Sequence, residues 1–164
     1  FVPKNEDKSI FFNNWLNLDT NQLKNCKISD DNWNDILEVK KAVSKSLEEK
    51  RENGIIGSSL DAYATIYCSK DLYNILSLLG EELKFIFITS NAFLKNIEEN
   101  NQPNDNSISI GNHNLYINIE NTDNKKCARC WHKCMTVGEN KKYANICNRC
   151  ITNVYGKGEI RINA

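Results

Sequence analysis

Apolar residues recur along this chain with two different spacings, and each spacing predicts a different kind of element. From Trp33 onward, Ile36, Leu37, Val43 and Leu47 return at close to helical intervals. Asp35, Lys41, Lys45, Glu48 and Glu49 mark the opposite face. Ser29-Asp30-Asp31 offers N-caps, and Asn53-Gly54 offers a stop, because glycine tolerates the left-handed conformation. An amphipathic helix of roughly five turns is expected between them. After a connector at Ile55 to Ser59 the period changes to two: Leu60, Ala62, Ala64, Ile66 and Cys68 alternate with Asp61, Tyr63, Thr65 and Tyr67, which predicts a strand.

The pattern continues in shorter pieces. Ser69 to Leu79 reads as a short helix capped by Ser69 and ended by Gly80. Glu82 to Thr89, with the run Phe85-Ile86-Phe87-Ile88, predicts a second, largely buried strand, and Asn91 to Glu99 a further short helix. Asn100 to Asn106 contains Pro103 and is expected to be a loop. Leu115, Ile117 and Ile119 alternate with Tyr116 and Asn118 and predict a third strand, followed by a polar hinge at Asn121 to Asn124. Residues 1–28, where Trp15, Leu16 and Leu18 form an apolar patch, follow neither period. The expected fold class is α+β: a helical segment over 1–54, a small α/β junction module over 55–124, and a C-terminal four-cysteine zinc ribbon over 125–164.

Composition sharpens this picture. About 40% of the 164 residues are apolar, enough for a folded core, and no run of eighteen apolar residues predicts a membrane span. The chain opens on Phe1, its one methionine is Met135, and no secretory leader is evident, so a fragment or processed product is expected. The seven cysteines are odd in number, with Cys26 and Cys68 isolated, which points to a reducing cytoplasm, not a disulfide framework. Heavy use of Asn, Lys and Ile fits an AT-rich genome. Charge is balanced overall but not locally. Residues 125–164 hold nine Lys or Arg against two Asp or Glu, while residues 1–124 hold twelve against nineteen. That gives +7 and −7. A basic end suggests a nucleic-acid contact, and a solvated tail is the alternative.

The strongest chemical signal lies in that basic end. Cys127-Ala128-Arg129-Cys130 is followed, after sixteen residues, by Cys147-Asn148-Arg149-Cys150. A two-residue gap lets both thiolates of one turn reach the same ion, and two such turns supply the four corners of a tetrahedron. Zinc is the expected occupant, although iron or disulfides could use the same residues. Four protein ligands leave no position for water, so the ion is expected to be structural. His132 and Cys134 lie near enough in sequence to substitute as ligands. Arg129 and Arg149 occupy the same place in the two turns, and Trp131 and Ile151 follow them. Trp131 among cations is a candidate platform for an unpaired RNA base; a cover for the metal is its other role.

These residues also carry a resemblance. Lys126-Cys127-Ala128-Arg129-Cys130-Trp131-His132, Val137-Gly138, Ile146 to Cys150, Asn153-Val154, Gly156 to Glu159 and Arg161 resemble the C-terminal zinc module of bacterial isoleucyl-tRNA synthetases. Upstream, Trp33, Val39-Lys40, Val43, Glu48 to Arg51, Ile56 to Ala62, and Gly80 to Phe85 with Thr89-Ser90 are similar to the segments that precede that module. The resemblance is weakest at 1–28 and 93–121. It implies one structural Zn2+ on Cys127, Cys130, Cys147 and Cys150. It also implies contact with the isoleucine tRNA, near its anticodon stem-loop, through Arg129, Trp131 and Arg149. The parent it implies is a cytoplasmic, monomeric ligase that joins isoleucine to tRNA using ATP. The family's His-Ile-Gly-His and Lys-Met-Ser-Lys-Ser signatures have no counterpart here, so no catalytic residue is expected in this chain and ATP would belong to a domain outside it. Cys134 departs from the family pattern. A DNA-glycosylase-type or protein-binding zinc ribbon is the alternative. The glycosylase version needs an N-terminal proline nucleophile, which Phe1-Val2-Pro3 does not supply.

Overall fold

The computed structural model describes residues 27–97, 107–111 and 113–163. The apolar patch at Trp15 to Leu18 and the loop expected at Asn100 to Asn106 lie outside them.

Helix α1 spans Asp30–Glu52. The Ser29 hydroxyl accepts from the Asn32 amide at 3.2 Å, Asp30 and Asp31 sit in the first turn, and Lys50 and Arg51 in the last, so caps and charges agree with the helix dipole. Ile36, Val39, Ala42, Val43 and Leu47 form its buried stripe, whereas Leu37, expected on that stripe, is 46% exposed. Strand β1 (Ala62–Cys68) follows a 3-10 turn at Ser59–Asp61 in which Asp61 and Ser58 cap each other. Helix α2 (Lys70–Ser77) comes next, near its expected place.

The next two elements exchange the identities that the sequence predicts. Instead of a strand at Glu82 to Thr89 there is a 3-10 turn, Gly80–Glu82, and a short helix α3, Leu83–Phe87. A continuous apolar run does not distinguish strand from helix. Burial decides it: Leu83 and Phe87, four apart, are buried, while Ile88 is 52% exposed. Ile88 ends the helix in the left-handed region, with φ 56 and ψ 47, and the Thr89 amide reaches back to the Lys84 carbonyl at 3.0 Å. Conversely, the expected helix at Asn91 to Glu99 is strand β2 (Asn91–Asn96), parallel to β1 with Ala92 opposite Ala64 and Leu94 opposite Ile66. Its pairing with β1 overrides a local sequence that is neutral between the two states.

Strand β3 (Ile108–Ile110), too short for a periodic signal, pairs with β4 (His113–Asn121). The sheet order is β2-β1-β4-β3, with β4 antiparallel to β1 and to β3. Ala62, Ala64, Ile66, Cys68, Leu115 and Ile119 turn one sheet face toward the helices and form a single core with the stripe of α1 and with Leu72, Leu76, Leu83 and Phe87. Helix α1 thus shares a core with the sheet, across residue 54. The architecture is α+β, a mixed four-stranded sheet with helices and a separate cysteine cluster.

Candidate metal centre

A second cluster begins after β4. The segment expected to be a hinge is tied down: Thr122 is buried with its amide on the Asp61 carbonyl at 3.0 Å, and the Asn124 side-chain amide donates to the Tyr63 hydroxyl. The chain then makes a tight loop. Lys126 and Lys133 form an isolated antiparallel bridge, and the Cys127 amide donates to the His132 carbonyl at 3.0 Å. The Trp131 amide closes the first cysteine turn onto the Cys127 carbonyl at 2.9 Å. The second pair opens helix α4, Asn148–Tyr155, with Cys147 at its N-cap and Cys150 in its first turn. The Ala128 amide joins the halves by donating to the Asn145 carbonyl at 2.9 Å. Between the pairs lie turns and a 3-10 turn, Lys141–Tyr143.

The sulfurs of Cys127, Cys130, Cys147 and Cys150 all lie within 4.8 Å of one another. Cys127 and Cys150 are 3.7 Å apart, and Cys130 and Cys147 3.8 Å. A tetrahedron with metal–sulfur bonds of about 2.3 Å has edges of about 3.8 Å. A disulfide would bring two sulfurs to about 2.05 Å. The donor set therefore fits one zinc ion and no disulfide, and all four cysteines are free. Cys134 lies outside the cluster, its sulfur accepting from the Thr136 hydroxyl at 3.8 Å. His132 is likewise not among the clustered donors: its Nδ1 contacts the Cys130 carbonyl at 3.0 Å, and its ring packs edge-on against Phe85.

Electrostatics are consistent with a cation at the centre. Burial opposes ionisation of Cys130, but hydrogen bonds from His132 and Arg149 outweigh it and bring the thiol down to about 5. Burial also opposes Cys127, and backbone amides around both turns overcome it and lower that thiol. Cys147 and Cys150 are pushed up, first by burial; at Cys147 the neighbouring Cys130 charge adds to the effect. Four thiolates so close repel one another, and a divalent ion between them removes that repulsion. When bound, zinc would draw these sulfurs into one rigid tetrahedral frame. Cys68 is different: it is alone and fully buried, and burial pushes its thiol up to about 11.

The matching sequence positions in the two turns have unlike surroundings. Trp131 adopts φ 66, which throws its side chain outward, and it is 60% exposed with the Lys126 ammonium 5.4 Å from the ring centroid. Ile151, its counterpart, continues α4 and is half-buried. Arg129 is exposed and donates to the Cys150 sulfur at 3.5 Å. Arg149 is half-buried, paired with Glu159 at 3.0 Å and lying 4.9 Å over the Phe85 ring. Arg161 covers Phe85 at 3.9 Å and also pairs with Glu159. Hydrogen bonds from Arg161 and Asn153 outweigh burial and hold the Glu159 carboxyl below the usual carboxylate range.

Phe85 and Glu159 thus form a clamp that sequence patterns did not reveal, and the clamp fastens the metal cluster to the α/β core. Glu159 carried one signal: it is one of only two acids in residues 125–164. Lys133 strengthens the junction, pairing with Asp61 at 3.4 Å while its amide donates to the Ser90 hydroxyl at 2.6 Å. The Ile162 and Asn163 amides donate to Glu82 at 2.5 and 2.6 Å. Phe85→Ala is expected to cost about 2 kcal/mol, from the cation–π contacts with Lys84, Arg149 and Arg161 and from lost apolar burial. Hydrogen exchange at the Lys133, Ile162 and Asn163 amides should rise with zinc content unchanged. Exchange as slow as in the parent chain would mean that Phe85 does not anchor the junction.

With Lys133, Arg149 and Arg161 turned to these partners, the exposed cations include Lys125, Lys126, Arg129, Lys141, Lys142 and Lys157. Among the described residues, no helix is long and apolar enough to cross a membrane.

Comparison with known proteins places this arrangement. Residues 124–153 match the family described as a zinc finger found in FPG and IleRS. Across the wider chain the similarity is to the ligase side of that description. The isoleucine–tRNA ligase of Pseudoalteromonas atlantica is 38% identical over 163 residues, 99% of this chain. This chain is homologous to a portion of isoleucine–tRNA ligase. The ligase of Blochmanniella pennsylvanica is 38% identical over 98% of the chain, and that of Francisella tularensis subsp. novicida 38% over 93%. The chain spans only 17% of the first two ligases and 16% of the third. The zinc-finger match and the four-sulfur geometry together support a structural zinc in this chain.

Proposed function

We propose that this chain is the C-terminal tRNA-binding and zinc-binding portion of an isoleucyl-tRNA synthetase, a cytoplasmic and monomeric enzyme that attaches isoleucine to its tRNA using ATP. In this proposal residues 1–54 end the helical anticodon-binding domain, residues 55–124 form a junction, and residues 125–164 form the tRNA-contacting module. Cys127, Cys130, Cys147 and Cys150 hold the ion. Because four sulfurs fill its tetrahedron, the ion shapes the module and takes no part in aminoacyl transfer. ATP is handled in a catalytic domain outside this chain.

The observation that carries the proposal is Trp131, a 60% exposed indole in a segment homologous to the ligases, adjoining a four-sulfur cluster with the Lys126 ammonium 5.4 Å from its ring centroid. An unpaired base of the anticodon stem-loop would stack on such a ring, while Arg129 and Lys126 would hold phosphates beside it. Arg149 faces Glu159 and Phe85, so the proposal gives it a bracing role behind the contact surface. Titration of the chain with isoleucine tRNA and with an unrelated tRNA tests the assignment. Tighter binding of the isoleucine tRNA is expected, and equal affinity would place specificity elsewhere in the enzyme.

A further inference from the structure

Helix α4 ends in a second exposed aromatic feature. The rings of Tyr143 and Tyr155 stack at 4.2 Å with an interplanar angle of 16°. Tyr143 belongs to the 3-10 turn Lys141–Tyr143, which Asn140 caps by accepting from the Lys142 and Tyr143 amides. That cap presents Lys141 and Lys142 to solvent, with the Lys142 ammonium 5.2 Å from the Tyr143 ring centroid. Tyr155 is 59% exposed. Gly156 ends the helix in extended backbone, and a side chain there would meet the Thr152 carbonyl oxygen at 2.8 Å. Tyr155 therefore presents an exposed ring at the end of the helix, stacked on a tyrosine that follows two exposed lysines in sequence.

A pair that served only to pin the 3-10 turn to α4 would work as well with Tyr155 covered. An exposed aromatic ring stacked on a tyrosine that has an exposed lysine against its own ring matches what single-stranded nucleic acid requires: a ring for a base and cations for the phosphates nearby. Helix α4 rises about 1.5 Å per residue, so Tyr155 stands within about 8 Å, along the axis, of the metal-cluster residue Cys150. We propose that Tyr155, backed by Tyr143 and flanked by Lys141 and Lys142, is a second stacking site for an unpaired RNA base, additional to the one at Trp131; this rests on the proposal that the module binds RNA.

The test is fluorescence anisotropy of a labelled RNA hairpin with a single-stranded loop, titrated with the whole chain. Tyr155→Ala is expected to weaken binding roughly tenfold, and Tyr155→Phe to stay within about twofold of the parent. Lys141→Gln with Lys142→Gln should flatten the salt dependence by about 1.4 in the log–log slope, which Tyr155→Ala should leave unchanged. Zinc content reports whether each variant keeps its frame. Crosslinking of 5-bromouridine in the loop to the unsubstituted chain provides a second measurement that needs no variant, with Tyr155 the expected adduct. Parent-like affinity of Tyr155→Ala, or adducts only at other residues, would overturn this second site and leave the first intact. Failure of the unsubstituted chain to bind the hairpin would instead overturn the RNA-binding proposal itself.

Discussion

Replacing Cys147 with alanine is expected to remove zinc from the chain and unfold the module from Lys125 onward, while the α1–β4 core stays folded. The separation follows from where apolar burial lies. One cluster runs from Ile28 to Ile119 through α1, the sheet, α2 and α3, and contains none of the metal-cluster cysteines. The other holds Cys127, Val137, Cys147 and Cys150 as its buried members. Three of those four are proposed ligands, so without metal one valine is left, worth about 2 kcal/mol of burial. Structural zinc in small modules contributes about 10–16 kcal/mol, so the ion outweighs apolar burial in folding this part. Metal analysis should give one zinc per parent chain and none for Cys147→Ala. Hydrogen exchange should become fast at the Cys127, Ala128 and Ile151 amides, which are hydrogen-bonded around the cluster, and stay slow along β1. Cys134→Ala should keep the zinc. Loss of zinc from Cys134→Ala, or its retention by Cys147→Ala, would contradict the proposed ligand set.

The second large effect is expected at Trp131. Stacking of a base on an aromatic ring is worth about 1–3 kcal/mol, so Trp131→Ala should weaken RNA binding by between about fivefold and a hundredfold or more. The backbone allows this effect to be separated from stability. Trp131 sits at φ 66, a conformation that costs an L-residue about 1 kcal/mol and glycine almost nothing. Because the ring is 60% exposed, little burial is lost with it. Trp131→Gly should therefore keep its zinc, unfold at least as reluctantly as the parent chain, and still bind RNA more weakly. A tryptophan that merely covered the metal would give the opposite pattern: lower zinc affinity, lower stability and unchanged RNA affinity per folded molecule.

Features written in local chemistry were legible in the sequence. The caps and stripe of α1, the alternation of β1 and β4, and the two cysteine pairs each depend on residues within a few positions of one another. What was illegible depends on partners far along the chain. Phe85-Ile86-Phe87-Ile88 is apolar throughout, so nothing in it says that Leu83 and Phe87 face the core as a helix while Ile88 turns out. Asn91–Asn96 becomes a strand because β1 offers it a parallel edge. Arg129 and Arg149 look equivalent in the two cysteine turns. They differ because Phe85 and Glu159 draw one of them inward, and the first of these partners lies far off in sequence, on α3. The pairing of Tyr143 with Tyr155 was illegible for the same reason, because only the fold of the metal module brings them together.

The metal's surroundings decide whether the ion is structural, and zinc-edge X-ray absorption of the zinc-loaded chain measures them directly. Four sulfur scatterers at about 2.3 Å are expected, with the same spectrum from Cys134→Ala. A nitrogen or oxygen scatterer at about 2.0–2.1 Å would contradict a four-sulfur structural site, since it would place a histidine or a water in the shell and leave the ion open to chemistry.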